Sequence, residues 1–271
     1  MGQNFLIDLN LLDLIIATAE LDKHDAVLEV GTGTGSLTAR LCDHAGAVVS
    51  VELDTDFLRM ASEMLAGRGN LSLMNADALA RKNEMNPAVL KEWERIASAA
   101  GCTRRKLIAN LPYVVATPVI ANLLISDVPI ERMVVMVQWE MAERLTADVA
   151  TKDYGALAVL VQSLAEVTIV RRLAPSVFWP KPKVDSAIVF IKPSAAMRKK
   201  VSDPPKFRAF LRDLYTHRRK NLRQALAGWP SGRKDKKEVD TRLAKLGYDG
   251  TARAETLDLE QHRRLFEAFG E

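Results

Sequence analysis

The chain has 271 residues, 48% hydrophobic and 27% charged, with two cysteines in no CxxC or Cys/His cluster, a composition that excludes a disulfide framework and a zinc site and predicts one large and one small domain. Apolar stretches such as Met133 to Val137 are far too short for a bilayer and no basic segment followed by an apolar run opens the chain, so neither a membrane segment nor a secretion signal is expected and the cytoplasm is the expected compartment. Residues 195–271 hold 19 Lys and Arg against 11 Asp and Glu, and the rest of the chain 19 against 23, which points to a polyanionic partner docked by the C-terminal quarter.

Residues 2–6 read GQNFL and precede a helix in which Leu9, Leu12, Ile15, Ile16 and Ala19 recur at helical spacing, capped by Asp8. Gln3 and Asn4 at its entrance are placed to approach a ligand. Ala26 to Val30 is a strand-type run, glycines alternate at Gly31, Gly33 and Gly35, Leu37, Ala39 and Leu41 begin a helix, and Ala47 to Val51 is a second strand that ends on Glu52. This is a βαβ unit with a glycine-rich first turn, and its terminal acid is placed to accept from ribose hydroxyls. A dinucleotide fingerprint would need glycine where Ser36 stands; the spacing is E-x-G-x-G-x-G from Glu29, the pattern associated with S-adenosylmethionine-dependent methyltransferases. After a helix near residues 56–65, a third strand from Leu71 ends on Asn75, Ala76 and Asp77, so that Asp77 faces the same crevice, able to accept from an adenine amine. Residues 80–105, polar with one helical piece, read as an insertion.

A fourth strand, Lys106 to Ala109, delivers NLPY, Asn110 to Tyr113. The exocyclic nitrogen of adenine is a poor nucleophile because its lone pair is delocalised into the ring. Acceptors that hold its two N–H groups direct the lone pair outward, and the Asn110 side-chain oxygen with the Leu111 carbonyl can supply them. Pro112 fixes the chain path and Tyr113 offers a stacking face. Beyond lie a helix at 117–125, a strand at 133–138, a helix from about Glu140, an apolar helical stretch at 154–167 and a strand at 167–174. The string FWPKPKVDSAIVFIKP, residues 178–193, sets an aromatic pair before a proline-stiffened loop and a final strand, with Phe178 facing the base opposite Tyr113. Residues 193–205 read as a linker. A basic helical domain follows, with Phe207, Phe210, Leu211 and Leu214 on one face, then HRRKNLRQAL (217–226), and helices at 240–246 and 257–269.

With GQNFL, ExGxGxG, VELD, NAD, NLPY and FxPxPKVDSA in one order, the whole chain resembles the ribosomal RNA adenine N6-dimethyltransferase family, and within it the branch that acts on small-subunit 16S rRNA. The resemblance implies an α/β fold, a Rossmann-like methyltransferase core over residues 1–193, and a small all-α domain over 194–271 that docks RNA. It implies transfer of methyl groups from S-adenosylmethionine to two adjacent adenosines in a hairpin loop near the 3′ end of 16S rRNA, in an immature small subunit, with S-adenosylhomocysteine as product. By motif match, Asn4, Leu6, Gly31, Gly33, Gly35, Glu52, Asp77 and Asn110 would bind the cofactor, Asn110, Leu111, Pro112, Tyr113 and Phe178 would hold the target base, and Arg218, Arg219, Lys220 and Arg223 would contact RNA. No metal is implied, and a monomer is expected. The alternatives are a 23S rRNA adenine methylase, disfavoured by KVDSA and the full helical tail, a DNA adenine methyltransferase, disfavoured by the lack of a separate DNA-recognition domain, and a non-catalytic assembly or transcription factor on the same fold.

Overall fold

The computed structural model describes residues 4–216, 218–227 and 235–270; Gly2, Gln3 and His217 of the motifs above lie outside them. The elements in chain order are β1 (Phe5–Leu6), α1 (Leu9–Ala19), β2 (Asp25–Val30), α2 (Ser36–His44), β3 (Ala47–Glu52), α3 (Thr55–Met64), β4 (Leu71–Asn75), β5 (Leu79–Arg81), β6 (Glu84–Met85), α4 (Pro87–Ala99), β7 (Arg104–Asn110), α5 (Tyr113–Ile125), β8 (Ile130–Gln138), α6 (Trp139–Leu145), α7 (Ala156–Leu164), β9 (Ala165–Leu173), β10 (Phe178–Trp179), β11 (Ser186–Pro193), α8 (Ala195–Arg198), α9 (Pro204–Thr216), α10 (Leu222–Ala227), α11 (Lys236–Leu246) and α12 (Leu259–Phe269).

A seven-stranded sheet runs β4-β3-β2-β7-β8-β11-β9. β4, β3, β2, β7 and β8 are parallel neighbours, and β11 pairs antiparallel with β8. Every residue of β2 and β3 is buried, which is why both read as almost unbroken apolar runs: helices cover both faces of a parallel sheet. The order reverses between β2 and β7, whose carboxyl ends therefore open a crevice.

Residues 80–105 are not an insertion. α4 is the crossover helix between β4 and β7, packing on β2 and β3 through buried Val89, Trp93 and Ala97. That i, i+4, i+8 stripe is narrow, and Lys91, Glu92, Glu94 and Arg95 around it give the segment its polar composition. α5 begins at Tyr113, four residues before the expected helix, so NLPY joins a strand end directly to a helix start. β7 also carries a fully buried lysine. Lys106 Nζ donates to the carbonyls of Ala19 and Glu20 at 3.0 and 2.8 Å and to Asp25 Oδ2 at 2.9 Å. All three ammonium protons are thereby used, closing the C-terminal end of α1 onto the sheet.

The chain divides into two compact units, residues 1–142 with 167–193, and residues 143–166 with 194–271. Residues 143–166, expected with the first domain, cluster with the second because buried Ala158, Val159, Leu160, Val161 and Leu164 of α7 give α9 and α12 an apolar helix to pack on. Within that second unit Phe207 and Phe210 lie 5.2 and 5.7 Å from Phe266, centroid to centroid. His262 Nδ1 bonds the Asp258 carbonyl at 2.8 Å and its Nε2 meets the Tyr215 hydroxyl at 3.1 Å. Burial holds that imidazole down at about 4, so it stays neutral. The expected linker contains one short helix, α8, capped by Ser194.

Candidate active site

The glycine loop after β2 is fixed before any ligand arrives. Gly31 N–H donates to the Val51 carbonyl at 2.8 Å, and a Cβ on Gly31 would stand 3.1 Å from Pro112 Cδ, so this loop and the NLPY segment are packed against each other. Gly33 has φ +54°, and a Cβ there would come within 2.9 Å of the Phe5 ring; the bare backbone leaves Phe5 and the loop in direct contact. Gly35 stands at the N-cap of α2.

Behind the loop lies a buried polar chain. Thr32 Oγ1 meets Ser50 Oγ at 2.6 Å, and Ser50 and Thr38 each donate to Glu29 Oε2 at 2.6 Å. Burial pushes the Glu29 carboxyl up to about 8, with the two hydroxyl donors opposing and Glu52 adding to the rise. Between its ordinary value of 4.5 and about 8 the folded chain keeps a proton that the unfolded chain has released, so this residue's contribution to stability falls as pH rises through that window. Glu29→Gln, uncharged at every pH, is expected to raise the thermal midpoint at pH 8 and to flatten its decline from about pH 5 upward. Melting curves for both proteins across that range check it, and superimposable pH profiles would mean that Glu29 is ionised in the folded chain.

Glu52 ends β3 with both carboxyl oxygens turned into backbone. Oε2 accepts from Gly33 N–H at 2.9 Å and Oε1 from Asp54 N–H at 3.0 Å, leaving each oxygen further lone-pair capacity. Asn75 and Ala76 donate in turn to the Glu52 carbonyl.

Asn110 closes β7. Its Nδ2 donates to the Asn4 carbonyl at 3.0 Å, which ties the N-terminal segment to NLPY and turns Oδ1 away from that bond. Leu111 N–H donates to the Met136 carbonyl at 3.2 Å, Pro112 takes the N-cap of α5, and the Tyr113 hydroxyl meets Ser186 Oγ at 3.1 Å. The serine of KVDSA therefore pins the tyrosine ring.

Asn4, Leu6, Gly31, Gly33, Glu52, Asn110, Leu111, Pro112 and Tyr113 line one open cavity. Three predicted residues do not line it. Gly35 caps α2; Asp77 is exposed, with Oδ1 accepting from Leu79 N–H at 2.9 Å in the turn after β4; Phe178, 4% exposed, packs in a core cluster with Leu6, Leu12, Met136 and Ile188. Phe5, Thr32 and Met136 also line the cavity, and sequence reasoning gave them no role. Phe5 carried a signal, an aromatic ring after an amide pair at a helix entrance; Met136 carried none, being one apolar residue in a strand. In the second unit Arg223 pairs with Asp240 at 2.7 Å and Arg218 with Glu255 at 3.9 Å, while Arg219 and Lys220 are exposed. No group of three or more His, Cys, Asp and Glu side chains among the described residues is disposed to hold a metal ion.

A parallel sheet with an antiparallel β11 beside β8, a glycine turn after its central strand and an acid ending the next define a Rossmann-like methyltransferase. The family model described as ribosomal RNA adenine dimethylase matches residues 1–268, and the chain belongs to that family. It is 37% identical over 263 residues to a Halothermothrix orenii protein described as ribosomal RNA small subunit methyltransferase A, covering 96% of this chain and 84% of that one. A Pelotomaculum thermopropionicum protein of the same description is 39% identical over 278 residues, covering 99% and 90%. Among solved structures, a dimethyladenosine transferase from Plasmodium falciparum superposes with a TM-score of 0.79 at 26% identity, covering 98% of this chain and 97% of the other. The 23S rRNA methyltransferase ErmE gives 0.64 at 27% identity, covering 98% and 100%.

Proposed function

We propose that this chain dimethylates the N6 of two adjacent adenosines in a hairpin loop near the 3′ end of 16S rRNA, with S-adenosylmethionine as donor. The observation that carries the chemistry is Asn110: one N–H of its side-chain amide is held by the Asn4 carbonyl, which fixes the amide plane and leaves its oxygen as an acceptor for a nucleobase, at the lip of a cavity that a glycine turn and Glu52 bound. Full-length similarity to small-subunit methyltransferases supports the substrate.

The residues present suit the donor. The glycine turn presents bare backbone to the cavity with the Phe5 ring packed directly on Gly33, Glu52 has spare acceptor capacity for two ribose hydroxyls, and Leu6 and Leu111 supply apolar walls. When bound, S-adenosylmethionine supplies an electrophilic methyl group. The chain's own work is to orient the acceptor. In the first transfer Asn110 Oδ1 and the Leu111 carbonyl would hold the two N6 protons, and in the second one of them would hold the proton that remains, turning the lone pair towards the methyl; each transfer releases one N6 proton and leaves S-adenosylhomocysteine. Tyr113, held by Ser186, covers one face of the base, and Phe178 reaches the other only by leaving its core cluster. Direct in-line transfer needs no covalent enzyme intermediate.

The target adenosine has to leave its stack to reach this cavity, and the basic unit would hold the surrounding RNA. Arg223 and Arg218 pair with Asp240 and Glu255 within their own unit, while Arg219 and Lys220 are exposed and make no ion pair among the described residues. Reversing both to Glu is expected to weaken RNA binding about ten-fold and to lower the slope of log affinity against log salt by about 1 to 2, with donor affinity unchanged. An equal loss of RNA and donor affinity would indicate misfolding instead.

The decisive experiment is transfer of labelled methyl groups from S-adenosylmethionine to small-subunit particles lacking the modification, with large-subunit RNA and DNA as parallel acceptors. Dimethyladenosine confined to small-subunit RNA is the expected result. Label on large-subunit RNA would move the assignment to the activity named for ErmE, and donor binding without label would move it to an assembly role.

A further inference from the structure

Trp179 is 66% exposed, the largest hydrophobic side chain left in solvent among the described residues. Its neighbour Phe178, pointing to the opposite side of the two-residue strand β10, is buried. The backbone that carries the ring is nevertheless held in place. β10 pairs antiparallel with β1, Trp179 opposite Phe5 and Phe178 opposite Leu6, and both Phe5 and Leu6 line the cavity. The other end of the same loop is clamped as well. Asp185 Oδ2 accepts from Arg172 at 2.7 and 2.6 Å, the Arg172 guanidinium lies 4.3 Å above the Trp139 ring, and Trp139 N–H donates to the Asp185 carbonyl at 2.9 Å. The loop's one acid is thereby neutralised. Lys181 and Lys183, between the two fixed ends, are exposed and make no ion pair among the described residues.

An exposed indole on an anchored strand beside the cavity wall, followed in the next loop by two ammonium groups without an ion pair among the described residues, suits single-stranded nucleic acid: the cations follow the backbone and the ring takes a base. Little ordering entropy is lost on binding, because the platform is already anchored at both ends. When one adenosine swings out of its stack, its neighbour loses a stacking partner. We propose that Trp179 supplies that partner, stacking on the nucleobase next to the target while Lys181 and Lys183 hold the adjoining phosphates. Trp179 is therefore a positioning and specificity residue, and this role rests on the rRNA reading above. The loop also exposes Val184, but its two unpaired charges are both cationic and favour a polyanion over a protein partner.

The test uses the full chain and small-subunit particles lacking the modification. Trp179→Ala is expected to raise KM for particles about ten-fold and to leave kcat within about two-fold, the loss of one base–aromatic stack. Donor affinity is expected to stay at the wild-type value, and Trp179→Phe to restore KM to within about three-fold. A photo-crosslinking benzoylphenylalanine at position 179 should become attached to RNA. An unchanged KM in Trp179→Ala, an equal loss in Trp179→Phe, or a cross-link to a ribosomal protein would each overturn the stacking role. Failure of the wild-type protein to label small-subunit RNA would instead overturn the parent reading.

Discussion

Asn110→Ala is expected to reduce methyl transfer to small-subunit particles by about 10³-fold, the scale on which loss of a preorganised polar group at a reacting centre acts. Two effects combine. The variant lacks the oxygen that holds an N6 proton and lacks the N–H that fixes the Asn4 carbonyl at 3.0 Å, so the acceptor loses its orientation and the cavity loses part of its N-terminal wall. The fold should survive, because Asn110 is the last residue of β7 and Leu111 N–H still bonds Met136. Asn110→Asp separates the two effects, since it keeps an acceptor and puts a carboxylate against the Asn4 carbonyl. The measurements are single-turnover transfer rates with a far-UV spectrum and thermal midpoint for each variant. Turnover within ten-fold of wild type in Asn110→Ala would remove NLPY from the chemistry.

Glu52→Ala is expected to weaken binding of S-adenosylmethionine by about 10²-fold or more, because hydrogen bonds from two hydroxyls to a charged acceptor contribute about 1.5–3 kcal/mol each. The residue also organises the turn. Without it the N–H groups of Gly33 and Asp54 lose the acceptors they now meet at 2.9 and 3.0 Å, and the glycine loop keeps only its bonds to Val51 and Ser50 of β3. Glu52→Gln, with one oxygen retained, should fall between the two. Titration calorimetry with the donor gives the affinities, and binding of RNA alone should be unaltered in both variants. Near-wild-type donor affinity in Glu52→Ala would place the ribose elsewhere.

The parts of this site that were legible in the sequence are those where chemistry forces spacing. Glycine at 31, 33 and 35 and an acid at 52 follow from a backbone that must turn sharply and an acceptor that must reach the same crevice. NLPY was legible for the same reason, yet its helix was placed four residues late: a proline at 118 inside α5 and one at the N-cap made the segment resemble a turn. The helix within residues 80–105 was legible, but its role as the crossover between β4 and β7 was not, because only three of its residues are buried and Lys91, Glu92, Glu94 and Arg95 surround them. Membership of residues 143–166 in the second unit was illegible, because α7 is apolar all round and periodicity cannot say which partner it covers. The depth of Phe178 was illegible too. Two adjacent aromatics on a strand face opposite ways, and only the pairing of β10 with β1 decides which of them meets solvent.

That two-residue ladder between β1 and β10 has a further consequence for the order of events in catalysis. One strand carries Phe5 and Leu6, which line the cavity, and the other carries Phe178, buried in the core, and Trp179, exposed to solvent. Anything that stiffens the first strand stiffens the second, and thermodynamic reciprocity makes the coupling run both ways with equal strength. If the donor and the RNA bind as proposed, each would sense the other through four residues of backbone.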